Sequence, residues 1–284
     1  MKKSLTAFLL LFALTFGLLS PARAETLDPD SFIAKSIVLM DALTGEILFE
    51  TDADARRYPA STTKILTLLI AINESSPDEM VTIPASASQI PLDSSRVPVY
   101  PGEVMPMIDL WYGLMFRSGN DAANAIAEAV SGSIPAFVDE MNEWAEKLGM
   151  KNTHFANAHG YTNANHYTTA RDMANLAFFA LNNDLFREIS FDLEYVMQPT
   201  TLRGELKIKH DYAILDYKSM YYYQYARGIK TGYTAQAGQC FVGAAVKDGR
   251  ELLAVILNCG GLKPNKWQEA ARLFEYGFNV LESR

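Results

Sequence analysis

The sequence is poor in the residues from which metal sites and disulfide frameworks are made. Its 284 residues include two cysteines and four histidines. There is no H-E-x-x-H pair and no Cys/His ligand spacing, so no metal or other cofactor is expected. Positive charge is also scarce: 25 Lys and Arg stand against 33 Asp and Glu, for a net charge of −8. That balance lacks the basic footprint of a nucleic-acid binder, and nucleic acid is excluded as a partner. No Gly-X-Y period, low-complexity tract or solenoid repeat is present. A G-x-S-x-G elbow is absent, which argues against an ordinary esterase. Long apolar runs are missing too. The one clear run, Phe8 to Leu19, is too short to span a bilayer as a helix.

That run belongs to a leader. Lys2 and Lys3 precede it, Ser20-Pro21 breaks it, and Ala22-Arg23-Ala24 supplies an A-x-A cleavage site. Residues 1–24 therefore read as a signal peptide, and the remainder is expected in the periplasmic or extracellular, cell-wall space. Losing Lys2, Lys3 and Arg23 makes that remainder more acidic still. Cys240 and Cys259 fall on what read as neighbouring strands of one hairpin, where their spacing could place them on one face. A bridge is open in an exported protein, and two small buried apolar side chains are the alternative.

What is abundant is core-forming material: 49% of the residues are hydrophobic, enough for a packed interior. Residues 36–41 and 46–50 flank a turn at Gly45 and read as a hairpin. Pro59-Ala60-Ser61 opens a helix whose Ile65, Leu66, Leu68, Leu69, Ile70 and Ile72 make it apolar almost all round, as in a buried helix. Helices follow over 109–117, 121–131, 135–148 and 170–182, the first two broken at Ser118-Gly119-Asn120. Strands return at 227–233, 239–247 and 251–259, the last two joined at Asp248-Gly249, and a helix closes the chain over 265–281. The order predicts an α/β (α+β) fold: an antiparallel sheet built from both ends of the chain, flanked by helices, with an all-helical lobe inserted. The sheet lobe is expected over residues 25–60 and 205–284 and the helical lobe over 61–204, as one domain spanning 25–284.

Three short motifs carry candidate chemistry. In Ser61-Thr62-Thr63-Lys64 a helical spacing puts Lys64 one turn beyond Ser61, within reach of its hydroxyl. A serine hydroxyl needs a base to become a nucleophile. A lysine can serve if burial or another cation disfavours its charged form. About one S-x-x-K is expected by chance in a chain of this length, so the tetrad alone decides little. A lysine inside an apolar run is less ordinary, because buried lysines need a reason. Ser118-Gly119-Asn120 presents a hydroxyl and an amide from a break between helices, and Lys230-Thr231-Gly232 opens a strand behind Gly228. Each motif is a commonplace alone; the ordered trio is not.

The trio resembles the penicillin-recognising serine enzymes, whose S-x-x-K, S-x-N and K-T-G motifs line one cleft. More narrowly, the chain resembles the low-molecular-mass D-alanyl-D-alanine carboxypeptidases, with a β-lactamase/transpeptidase-like fold. The supporting segments are Met40-Asp41-Ala42 to Gly45, Tyr58 to Thr67, Arg117 to Ala122, Asn152 to Phe155 with His159-Gly160, and Gly228 to Thr234. The likeness runs from about residue 34 to 281. It implies that Ser61 is acylated by the penultimate D-Ala, with Lys64 as general base and Ser118 relaying a proton to the leaving amine. It implies that Asn120 holds the substrate backbone, that Lys230 and Thr231 bind the terminal carboxylate, and that the backbone N–H groups of Ser61 and Tyr233, beside Gly232, form the oxyanion hole. The implied substrates are peptidoglycan stem peptides, with β-lactams as acylating inhibitors.

Some features depart from the family. Arg227-Gly228 stands where Asp-Gly is usual, and Lys209-His210-Asp211-Tyr212 replaces an Asn-rich stretch. The final helix has mixed charge, unlike a basic amphipathic anchor, so neither a C-terminal β-domain nor a membrane anchor is expected. A β-lactamase and a penicillin-binding sensor without turnover are the alternatives. Class A lactamases carry S-D-N where this chain has Ser118-Gly119-Asn120.

Overall fold

The computed structural model describes residues 27–262 and 265–284; the expected leader lies outside them. The chain runs through β1 (Ala34–Asp41), β2 (Ile47–Thr51), a 3-10 turn (Ala60–Thr63) and α1 (Lys64–Glu74). Next come β3 (Met80–Thr82), β4 (Val104–Pro106), α2 (Met107–Phe116), α3 (Asn120–Ser131), α4 (Ile134–Lys147), α5 (Ala170–Ala180) and α6 (Asp184–Phe191). It ends with β5 (Glu194–Met197), β6 (Leu206–Lys209), β7 (Ala226–Thr234), β8 (Gly238–Lys247), β9 (Arg250–Cys259) and α7 (Asn265–Glu282).

The main sheet has five strands in the order β2-β1-β9-β8-β7, every neighbour antiparallel. Both ends of the chain contribute to it, and α1 to α6 come between. Each turn has the chemistry its shape requires. Gly45 takes φ 76 after β1, and Asp248 and Gly249 take φ 50 and 76 between β8 and β9, the pair of positive φ values that a two-residue hairpin turn needs. The strands' two faces feed two cores. On one face Val38, Cys240, Val242, Val255 and Leu257 pack with α1 to α5. On the other Leu39, Phe241, Leu252 and Ile256 pack with Trp267, Leu273, Phe274 and Phe278 of α7. In α1, Ile65, Leu66, Leu68, Leu69 and Ile70 are all buried, each worth about 1.5–3 kcal/mol of transfer free energy. None of the described helices is long and apolar enough to cross a membrane.

Three details differ from expectation. The inserted lobe is mainly but not wholly helical, because β3 and β4 pair antiparallel within it. The cysteines do not share a face. The β8/β9 register shifts between Gln239 and Phe241, and Asn258 takes φ 54. This bulge turns Cys259 opposite Gln239, into the core under α7, while Cys240 faces the helical side. Both are free and buried, the behaviour of small hydrophobes. Between 182 and 226 the sequence pattern offered no element, yet α6 and the β5–β6 hairpin lie there. The helix has eight residues and the strands four each, too short for a periodic signal.

Candidate active site

Ser61 sits in the 3-10 turn rather than in the α-helix, and Lys64 is the first residue of α1. In a 3-10 turn positions i and i+3 eclipse, so the lysine lies over the serine. Its Nζ donates to Ser61 Oγ at 3.0 Å, to Asn120 Oδ1 at 2.7 Å and to the His159 carbonyl at 2.7 Å. Lys64 is wholly buried. Burial holds its ammonium well below the usual lysine range, the charge of Lys230 pushes the same way, and Asp121 offsets part of this. The sequence had pointed to burial in the apolar helix and to another cation as the two ways of disfavouring the charge.

Ser118, at φ 55, turns the chain between α2 and α3. The turn is held from the segment above it: Asn120 N–H donates to the Ser95 carbonyl at 2.9 Å, and Asp121 Oδ1 accepts from Val97 N–H at 2.9 Å. Val97 fills the space left by two glycines, since a Cβ on Gly113 or Gly119 would meet its methyl at 2.8 or 2.6 Å. Burial raises the Asp121 carboxyl to about 6. Asn120 therefore holds the lysine, a contact not foreseen for it. The Ser118 side chain lines the cleft without bonding either Lys64 or Lys230.

The third motif lies on β7, the strand at the open edge of the sheet. Gly232 permits the approach: a Cβ there would sit 2.8 Å from Ser61 N and 3.0 Å from Ala60 Cβ. Ala60 itself takes φ 49, and Gly160 at φ 85 crosses so close that a Cβ would fall 1.8 Å from the Ala60 carbonyl oxygen. The loop around Ser61 is thus clamped between two glycine backbones. Lys230 is buried and donates to the Thr231 carbonyl at 3.2 Å. Burial brings it down to about 7; Asp211 opposes that shift and Lys266 adds to it. Thr231 N–H donates to the Tyr212 hydroxyl at 3.3 Å, and Tyr233 is 64% exposed at the cleft rim.

Ser61 and Tyr233 stand where two cavities meet, of about 590 and 620 Å³. The first is cationic, lined by Arg96, Arg117, Lys209, Lys230 and Lys266 against Asp93 and Asp211. The second is lined by hydroxyls, amides and backbone from Asp93 to Ser95, Asn120, His159 to Thr162 and Tyr233 to Gln236. All eight expected site residues converge here. The tetrad Lys209 to Tyr212, which departs from the family, closes the cationic arm. Its His210 lies 4.0 Å from the Phe116 ring and 4.4 Å from the Tyr212 ring, centroid to centroid.

The histidines serve as supports. His166 Nδ1 accepts from Ala156 N–H at 3.1 Å, which leaves Nε2 to donate to Thr63 Oγ1 at 2.8 Å. His159 Nδ1 accepts from Tyr161 N–H at 3.1 Å. Burial lowers both to about 3, so both are neutral near pH 7. Sequence reasoning missed the His159 carbonyl, which has no side-chain signature. It also missed Lys266, whose Nζ donates to Gln239 Oε1 at 2.9 Å; a helical lysine of mixed-charge surroundings reads as solvated.

This fold, a five-stranded antiparallel sheet with helices on both sides, is that of the penicillin-binding DD-peptidases. A family model described as D-alanyl-D-alanine carboxypeptidase, peptidase S11, matches residues 23–261, and the chain belongs to that family. It is 31% identical over 253 residues to the D-alanyl-D-alanine carboxypeptidase DacF of Bacillus subtilis, covering 88% of this chain and 63% of that protein. It is 32% identical over 295 residues to DacC of Escherichia coli, covering 98% of this chain and 68% of that one. The chain thus spans about two thirds of these relatives' length. The crystal structure of the Streptomyces K15 DD-transpeptidase superposes with a TM-score of 0.81 at 30% identity, over 89% of this chain and 99% of that one.

Proposed function

We propose that the protein is a serine hydrolase that removes the C-terminal D-Ala from peptidoglycan stem peptides through an acyl-enzyme on Ser61. The observation that carries this reading is the wholly buried Lys64, its ammonium disfavoured, 3.0 Å from Ser61 Oγ beside a cationic arm. Such a lysine can accept a proton at a lower pH than an ordinary lysine. Ser61 Oγ attacks the carbonyl carbon of the penultimate D-Ala while its proton passes to Lys64 Nζ. The peptide C–N bond breaks, the departing amine takes a proton through the Ser118 hydroxyl, and D-Ala leaves. Water then adds to the ester, freeing the shortened peptide and restoring Ser61.

Backbone N–H groups of Ser61 and Tyr233 stabilise the oxyanion, as donors aimed at developing charge do. Asn120 keeps Lys64 in place and borders the substrate backbone. Lys230 and Thr231 receive the terminal carboxylate, and Gly232 keeps β7 against the serine. β-Lactams, which carry a carboxylate beside a strained amide, acylate the same hydroxyl. Export directed by residues 1–24 brings the enzyme to its cell-wall substrate.

The test is to incubate residues 25–284 with a peptide ending in D-Ala-D-Ala and to assay free D-Ala. Release is expected, and Ser61→Ala abolishes it. No release, or release that survives the substitution, defeats the reading. Penicillin turnover in well under a second would favour a β-lactamase instead, and acylation with no peptide turnover a sensor.

A further inference from the structure

The two arms of the cleft differ in charge as well as lining, and the difference gives a substrate its direction. A terminal carboxylate is drawn to the arm with five cations. The residues that precede the two D-alanines must then extend past Ser61 into the other arm. Among the side chains lining that arm, Asp93, which stands at the junction and borders the cationic arm as well, is the one acidic group, and burial keeps His159 neutral. Behind the arm, Lys64 is wholly buried with its charged form disfavoured. Arg96, next but two in sequence, lines the cationic arm.

Asp93 is held over the arm. Its Oδ1 accepts from the Tyr161 hydroxyl at 3.1 Å, a contact between the wall formed by residues 93–95 and the loop that follows His159. On the far side Thr162 Oγ1 donates to Thr234 Oγ1 at 2.9 Å and contacts Gln236 Oε1 at 3.3 Å. Next to Asp93, the Ser94 hydroxyl is buried with no hydrogen-bond partner, and Ser94 also lines this arm. A buried hydroxyl without a partner is uncommon and calls for an explanation such as a ligand. A carboxylate whose second oxygen has no donor among the described residues, beside an acceptor-capable hydroxyl, suits a donor-rich cation such as an alkylammonium.

We propose that Asp93 is a specificity residue, binding with Ser94 the side-chain ammonium of a diamino acid that immediately precedes D-Ala-D-Ala. This rests on the carboxypeptidase reading for its substrate. The preferred peptides are those whose third residue keeps its amine free; acylation of that amine removes the charge and the preference with it. An exposed carboxylate–ammonium pair is worth up to about 1 kcal/mol, or roughly fivefold in affinity, and salt screens it.

The test separates binding from turnover. The Ser61→Ala protein is titrated calorimetrically, at low ionic strength, with Nα-acetyl-L-Lys-D-Ala-D-Ala and with its Nα,Nε-diacetyl counterpart. The free amine should bind about fivefold more tightly, and the ratio should fall to about one in Ser61→Ala/Asp93→Asn and at about 1 M salt. Equal binding of the two peptides, or a preference that survives Asp93→Asn, overturns the proposal. D-Ala release by the unsubstituted protein is measured on the same peptides. Release with no amine preference sinks the Asp93 site alone, whereas an amine preference without release sinks the carboxypeptidase reading alone.

Discussion

The two arms that meet at Ser61 are built by opposite means. The cationic arm draws on buried charge: Lys230 and Lys266 are almost fully buried, and burial brings Lys230 down to about 7. The polar arm draws on hydroxyls and loop backbone, with one exposed carboxylate at its wall. A buried cation is costly to hold and interacts strongly with whatever neutralises it, whereas exposed polar groups cost little and discriminate weakly. The contrast teaches where affinity and where selectivity reside. On the proposed reading, the carboxylate end of a substrate would anchor it, and the other end would be read by small increments.

Four substitutions or conditions sharpen or break this contrast. Lys64 bonds Ser61, where the two arms meet, so Lys64→Met should lower D-Ala release by about 10³-fold, with folding checked by circular dichroism. Gly232→Val places side-chain atoms where Ser61 N and Ala60 Cβ already stand. Moving β7 by even about an ångström should lower kcat/KM by about 10²-fold, on peptides and on penicillin acylation alike. Lys230→Met should act on one arm only. KM for a carboxylate-ended peptide should rise by about tenfold or more, with a smaller effect on its carboxamide analogue. In the unsubstituted enzyme that KM should also climb as the pH passes above about 7, where Lys230 loses its proton, and the climb should be missing from Lys230→Met.

The smallest effect concerns the scaffold. His159, His166 and His210 are each lowered by burial to about 3 from a usual 6.5. The unfolded chain takes up these protons first, so their contribution to stability is whole above pH 6.5 and is lost as the pH falls towards 3. Each imidazole contributes up to about 1.4 kcal/mol per pH unit in that window. Asp121, raised to about 6, works in the opposite sense between there and the ordinary carboxyl range. Calorimetry at pH 7.5 and pH 5 should show the lower midpoint at pH 5; equal midpoints would mean the imidazoles are solvated.

Much of this site was legible because its signals are carried by side chains in regular elements. Lys64 stood out as a cation in an apolar helix, and Lys230-Thr231-Gly232 as the third member of an ordered trio of motifs. The sheet could be assembled from both chain ends because alternation and the Asp248-Gly249 turn are local signals. What could not be read depends on backbone and register. The His159 carbonyl has no residue signature. The face of Cys259 depends on the bulge at Asn258, a single left-handed residue that inverts the alternation after it. Asp93 lies in a segment of coil, where no period says which way a side chain points.

The central claim is that burial beside a second lysine disfavours the charged form of Lys64, so that it can act as the base for Ser61. The most direct measurement is the rate of Ser61 acylation by benzylpenicillin, followed by intact mass from pH 6 to pH 10.5. The rate should reach its plateau well below the ordinary lysine range near 10.4, as burial of Lys64 requires. A rate that still climbs tenfold per pH unit through pH 10 would mean that Lys64 is an ordinary charged lysine, and would contradict the account.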